Sequence, residues 1–188
     1  MTENIIGIDI GFGFTKATDG QDFLIYKSIY GEAVDFQYKE NLLDNKNEDQ
    51  HLQIEVSGTS YFVGELAERQ SSSRSFTLDQ TQFVSSSSKV LALAALSKLV
   101  KDREQPVKLV VGLPIGHYRQ YKDELAKMLL DTHKFKTINA MGEKSDLSIT
   151  VSDVRVLPQP IGTVMDRLLS REGVTTNKRF ATDKIGII

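Results

Sequence analysis

Ile5-Ile6-Gly7-Ile8-Asp9-Ile10-Gly11-Phe12-Gly13-Phe14-Thr15-Lys16-Ala17 is the stretch on which the reading of the whole chain turns. An apolar run closed by an acid, Ile5 to Ile10, predicts a buried strand. Gly11-Phe12-Gly13 supplies a turn, and Phe14 to Ala17 resumes in extended form. A further turn at Asp19-Gly20 precedes Phe23-Leu24-Ile25-Tyr26, which completes a three-stranded meander. A hairpin this tight uses glycine where φ is positive or where a phosphate approaches the backbone. Its consecutive N–H groups form an anion-binding concavity. Thr15 adds a hydroxyl donor, and Lys16 a charge suited to a β- or γ-phosphate. Asp9 puts a carboxylate at the strand end, where Mg²⁺ could be held through water. A plain glycine-containing hairpin would share the two glycines. The acid before Gly11 and the Thr-Lys pair after Gly13 favour phosphate binding over that reading. The Walker loop is excluded, because the spacing is wrong and a strand, not a helix, follows.

Outward from this hairpin, residues 31–50 are polar and irregular and predict a surface insertion. Leu52 to Val56 alternates strictly and, with Ser57-Gly58-Thr59 and Tyr61-Phe62-Val63, predicts a hairpin with one buried face. Serine-rich runs at Gln70–Ser75 and Ser85–Ser88 read as loop, the second capping a helix from Lys89 to Val100 that is rich in Ala and Leu. Val107 to Pro114 predicts a core strand, Tyr121 to Asp131 a helix, Leu147 to Val151 a strand that Asp153 to Leu157 extends toward Pro158, and Ile161 to Arg171 a helix ended by Gly173. Lys184-Ile185-Gly186-Ile187-Ile188 looks like the opening of a strand. The sum is an α/β fold, a mixed sheet with flanking helices. Residues 1–30 and 84–184 form the core subdomain, and 31–83 a small inserted subdomain.

The totals bound the function. The 188 residues suffice for a proper core. Lys and Arg (23) nearly cancel Asp and Glu (25), so a net charge of -2 gives no electrostatic footprint for direct nucleic-acid binding. The chain has no cysteine, which removes disulfides, thiolate catalysis and Cys-ligated zinc and fits the cytoplasm. No apolar run approaches a membrane span, and the polar start is unlike a signal peptide. His51, His117 and His133 lack metal-ligand spacing. Tyr118, Tyr121 and Met128 read as packing or interface residues.

Ile8 to Lys16 resembles the first phosphate motif of the actin superfamily, most closely its archaeal actin-like and ParM-like plasmid-segregation members. Tyr61-Phe62-Val63-Gly64-Glu65-Leu66-Ala67, Leu109 to Gly116 and Leu157-Pro158-Gln159-Pro160-Ile161-Gly162 resemble later segments of the same N-terminal domain. The resemblance implies an actin/heat-shock ATPase-like (ribonuclease H-like) fold. It implies that ATP or GTP with Mg²⁺ sits in a cleft, with Asp9, Gly11, Phe12, Gly13, Phe14, Thr15 and Lys16 at the phosphates and metal. By the same resemblance Gln159 positions the attacking water; on its residues alone it is a helix-entry glutamine beside two prolines. Phe12 stands where muscle-type actin has serine, so Thr15 is expected to compensate. Residues 185–188 are expected to begin a second half that carries the other phosphate hairpin and the adenosine site.

The function so implied is that of the N-terminal half of a nucleotide-dependent, filament-forming ATPase, catalytic only when the second half is present. Its expected role is plasmid segregation or cytoskeletal organisation, with self-association and a DNA-binding adaptor as partners. A small-molecule kinase of the same superfamily is the alternative, disfavoured by the lack of a clear aspartate near Gln159. A half-domain that caps or scaffolds filaments is the other.

Overall fold

A computed structural model describes residues 4–33, 51–71, 74–76, 86–170, 173–177 and 182. The expected surface insertion falls largely on residues 34–50, and the expected terminal strand on 184–188, both outside the described residues.

The meander forms as the sequence predicts. β1 (Asn4–Ile10) pairs antiparallel with β2 (Phe14–Thr18), and β2 with β3 (Phe23–Lys27). β5 (Gln53–Val56) and β6 (Thr59–Val63) form the second hairpin, and β8 (Val107–Leu113) the core strand. Four elements were not predicted: β4 (Ile29–Glu32), α1 (Glu65–Gln70), β7 (Arg74–Phe76) and β9 (Thr132–Ile138). Other bounds shift. α2 (Ser86–Leu99) takes part of the serine run into its first turn, and α3 (Ile115–Leu129) begins directly after Pro114, well before Tyr121. The strand expected from Leu147 toward Pro158 is present as β10 (Lys144–Pro158), with a register shift between Val151 and Asp153. α4 (Gln159–Leu168) begins at Gln159 itself, with Pro160 in its first turn where a missing N–H costs nothing.

The ten strands run in the order β3-β2-β1-β8-β10-β9-β5-β6-β4-β7. β10 joins the two halves of that order: its C-terminal part pairs parallel with β8, its N-terminal part antiparallel with β9. The hairpin of the expected insert is tied in through β5 and β9. Helix α2 contacts β1, β2 and β3 on one side and β4, β5 and β6 on the other, so the sheet curls around it. That enclosure explains its sequence. Val90, Leu91, Ala92, Leu93, Ala94, Ala95, Leu96 and Leu99 are all buried, as a helix that is apolar all round must be. Each fully buried leucine there contributes about 1.5–3 kcal/mol.

Alternation then divides the faces of the meander. Ile6, Ile8, Ile10, Ala17 and Tyr26 point into the core, whereas Phe23, Ile25, Phe14 and Ile5 are at least 46% exposed. Asp9 and Lys16 share that open face.

Candidate functional site at the strand ends

Three neighbouring strands, β1, β8 and β10, run parallel and end together. Ligands of open α/β sheets bind outside such carboxyl ends. Register places Asp9 opposite Gly112 of β8, and Gly112 opposite Leu157 of β10. The chain turns into α4 at Pro158, and Gln159, the first helical residue, reaches back over the strand ends. Its Nε2 donates to Asp9 Oδ1 at 2.7 Å. An ionised carboxylate only accepts, so the amide must present its NH₂ to Asp9 and its carbonyl oxygen elsewhere.

Space for this contact comes from Gly112. A Cβ there would lie 3.1 Å from Gln159 Cγ and 3.2 Å from Asp9 Oδ1. The sequence reading assigned Gly112 no part in the site; its signal is a glycine inside a core strand, which marks close approach of another group. Asp9 is also opposite Lys16 across the β1–β2 ladder. Burial raises the Asp9 pKa, while the hydrogen bond from Gln159 and the charge of Lys16 each lower it in part. Asp9, Lys16, Gly112 and Gln159 line one depression of about 410 Å³ on the open face, walled by Ile25 and Val110 among others.

The hairpin turn itself is held by two backbone bonds. Gly11 N–H donates to the Phe14 carbonyl at 3.1 Å, and Ser28 N–H to the Gly13 carbonyl at 3.0 Å. Neither Gly11 nor Gly13 has a positive φ, so that reason for them does not hold. At Gly11 the reason is contact, since a Cβ would meet the Phe14 carbonyl oxygen at 2.9 Å, whereas Gly13 opens on free space. Phe12 and Phe14 are exposed around the turn.

Thr15 is the one expected site side chain that the structure places elsewhere. It is fully buried, with its hydroxyl 2.9 Å from that of Ser28, on the opposite face from Lys16. Its hydroxyl therefore does not replace the serine absent at Phe12. The structure brings together Asp9, Lys16 and Gln159, and leaves the Thr15 side chain in the core. Of the histidines, His133 is buried against the Leu129 carbonyl at 2.8 Å, and the His117 ring lies tilted beside that of Tyr121, with centroids 5.8 Å apart. Among the described residues no three His, Asp or Glu side chains group as a metal site, and no helix is long and apolar enough to cross a membrane.

Comparison with known proteins places the fold in a family. The profile of the Actin like proteins N terminal domain matches residues 7–162. A 15-stranded ParM filament from Clostridium botulinum is 26% identical, with a TM-score of 0.73 over 89% of this chain and 51% of that one. The actin-like protein Alp7A is 19% identical, with a TM-score of 0.67 over 94% of this chain and 49% of its own. An archaeal actin homolog in complex with ADP is 17% identical, with a TM-score of 0.62 over 87% and 46%. No curated protein sequence matches. The chain spans about half the length of the structures it resembles. With the profile covering most of its length, the chain belongs to the actin-like protein family, of which it carries the N-terminal domain.

Proposed function

We propose that this domain is the phosphate-binding half of a nucleotide-dependent, filament-forming ATPase. The observation that carries the reading is the Asp9–Gln159 hydrogen bond at the ends of the parallel strands, beside the Gly11–Gly13 turn. ATP or GTP would lie over the turn, with backbone N–H groups and Lys16 on its phosphates. Bound Mg²⁺ would neutralise phosphate charge, and Asp9 is the carboxylate suited to hold it through water. Against the burial that raises the Asp9 pKa, the hydrogen bond from Gln159 and the charge of Lys16 favour the carboxylate form that such a cation needs.

Hydrolysis needs a water aligned with the γ-phosphorus. With its NH₂ on Asp9, Gln159 has its carbonyl oxygen available to accept from that water. The water oxygen forms the new P–O bond while the bond to the β-phosphate oxygen breaks, and its proton passes to the phosphate released. Such catalysis is positioning and electrostatics, and it requires the second half to close the cleft.

Support for assembly comes from the relatives, one of which is a ParM filament. Heterologous contacts that do not close give filaments. A role in plasmid or cytoskeletal organisation in the cytoplasm, through an adaptor that binds DNA, fits the net charge of -2. The test is phosphate release and pelleting of the full-length protein with Mg-ATP, Mg-GTP or neither. Nucleotide-dependent pelleting with phosphate release supports the reading. Pelleting that ignores nucleotide sinks it.

A further inference from the structure

The chain crosses from one end of the sheet order to the other through one residue. Ser28 alone separates β3, first in the order, from β4, which lies beside the last strand. Ser28 is fully buried. Its N–H holds the Gly13 carbonyl in the hairpin turn, and its hydroxyl contacts that of Thr15.

The line of hydroxyls continues. Thr15 is opposite Tyr26 across the β2–β3 ladder, and both side chains are buried. Tyr26 donates to the Leu91 carbonyl of α2 at 2.5 Å. Burial raises the Tyr26 pKa, so the phenol keeps its proton. A carbonyl only accepts, so Tyr26 is the donor in its bond to Leu91. In the Thr15–Ser28 pair either hydroxyl can donate to the other. All three side chains are buried, so removing one hydroxyl leaves its neighbour without water to replace it.

On its other side Ser28 leads into the corner formed by β4, β6 and α1. Gly64 N–H donates to the Ile29 carbonyl at 2.8 Å. Gly64 has φ 68°, and a Cβ there would stand 3.1 Å from Tyr26 Cβ, so this corner packs against the base of the Tyr26 side chain. Lys27 and Glu68 pair at 2.5 Å across the same junction.

We propose that Ser28 is a positioning residue. It fixes the phosphate hairpin through Gly13 and Thr15 and couples that hairpin to the β4–β6–α1 corner, so that occupancy of the turn by a nucleotide's phosphates is felt there. The proposal rests on the reading of the hairpin as a phosphate site.

Hydrogen exchange of the full-length protein, with and without Mg-ATP, tests it on Ser28→Ala, Thr15→Val and Thr15→Ser. Without nucleotide, Ser28→Ala and Thr15→Val should speed exchange across residues 11–14 by about ten-fold, while Thr15→Ser, which keeps the hydroxyl, should not. With Mg-ATP the wild type should gain protection at residues 11–14 and also at 29–33 and 61–66. Ser28→Ala should keep the first and lose the second. If Ser28→Ala passes protection to the corner as the wild type does, or if Thr15→Ser behaves like Thr15→Val, Ser28 is a packing residue and the proposal falls. If Mg-ATP protects residues 11–14 in no variant, the wild type included, the phosphate reading itself falls and takes the coupling with it.

Discussion

Gln159 and Asp9, 150 residues apart in the chain, share a 2.7 Å hydrogen bond. Neither end of it is free to change alone. The bond counters the burial that raises the Asp9 pKa, and the carboxylate decides which end of the Gln159 amide faces outward. On the proposed reading, metal holding and water positioning would meet in this one contact, and substitution can separate them.

Gln159→Ala should leave Mg-ATP binding by the full-length protein nearly intact and slow phosphate release by about 10²-fold or more, the usual scale for losing a positioned catalytic group. The same substitution removes the hydrogen bond that lowers the Asp9 pKa, so the Asp9 carboxyl should titrate higher than in the wild type. Carboxyl-carbon NMR titration reads this. An Asp9 pKa unchanged or lowered in the variant contradicts the geometry.

Asp9→Asn should trade function for stability. The folded-state Asp9 pKa is raised, so the ionised form costs the fold stability at neutral pH, and protonation recovers it as pH falls through that pKa. Asparagine still accepts from Gln159 and carries no charge. In thermal melts without nucleotide the variant should therefore exceed the wild type at pH 7, and the gap should close toward pH 4 and below. Mg-dependent nucleotide binding should be lost. A variant less stable than the wild type at pH 7 would mean the carboxylate is needed for the fold.

How much of this was legible in the sequence depends on the range of each contact. The meander and β8 are apolar runs or alternations bounded by turns, and they appear where expected. β9 alternates too, yet its inward residues include His133 among lysines, a polar-looking run that only the partners β10 and β5 make a strand. β4 is four residues with a glycine, and α1 is six, too short to hold without Gly64 and the burial of Leu66 and Ala67. At the site, Asp9 and Lys16 could be paired from hairpin register alone. Thr15 could have been placed in the core by the same rule, since adjacent strand residues face opposite sides. The Gln159 contact, by contrast, follows from strand order, which no local pattern encodes; the family resemblance pointed to the residue but not to its partner.

Lys16→Ala isolates electrostatics from folding. Lys16 is exposed on the open face beside the Asp9 depression, so its removal should shift stability by no more than about 0.5 kcal/mol. Nucleotide-dependent pelleting of the full-length protein should nevertheless be abolished. Assembly that survives with unchanged nucleotide dependence would remove Lys16 from the phosphate site.

Gly112→Ala probes the cradle under the Asp9–Gln159 bond. One methyl at this position would stand 3.1 Å from Gln159 Cγ and 3.2 Å from Asp9 Oδ1, both tighter than ordinary contact. β8 is flanked by β1 and β10, which limits any backbone retreat, so the side chains must give way. Overpacking of this kind costs about 1–3 kcal/mol. Because Gln159 opens α4, moving its side chain also disturbs the first turn of that helix. The expected outcome is a lower melting temperature together with loss of the hydrogen bond in a crystal structure of the variant. Phosphate release should fall at least as far as in Gln159→Ala. A variant that releases phosphate like the wild type would show that the bond can break without consequence, and that Gln159 acts, if at all, from another position.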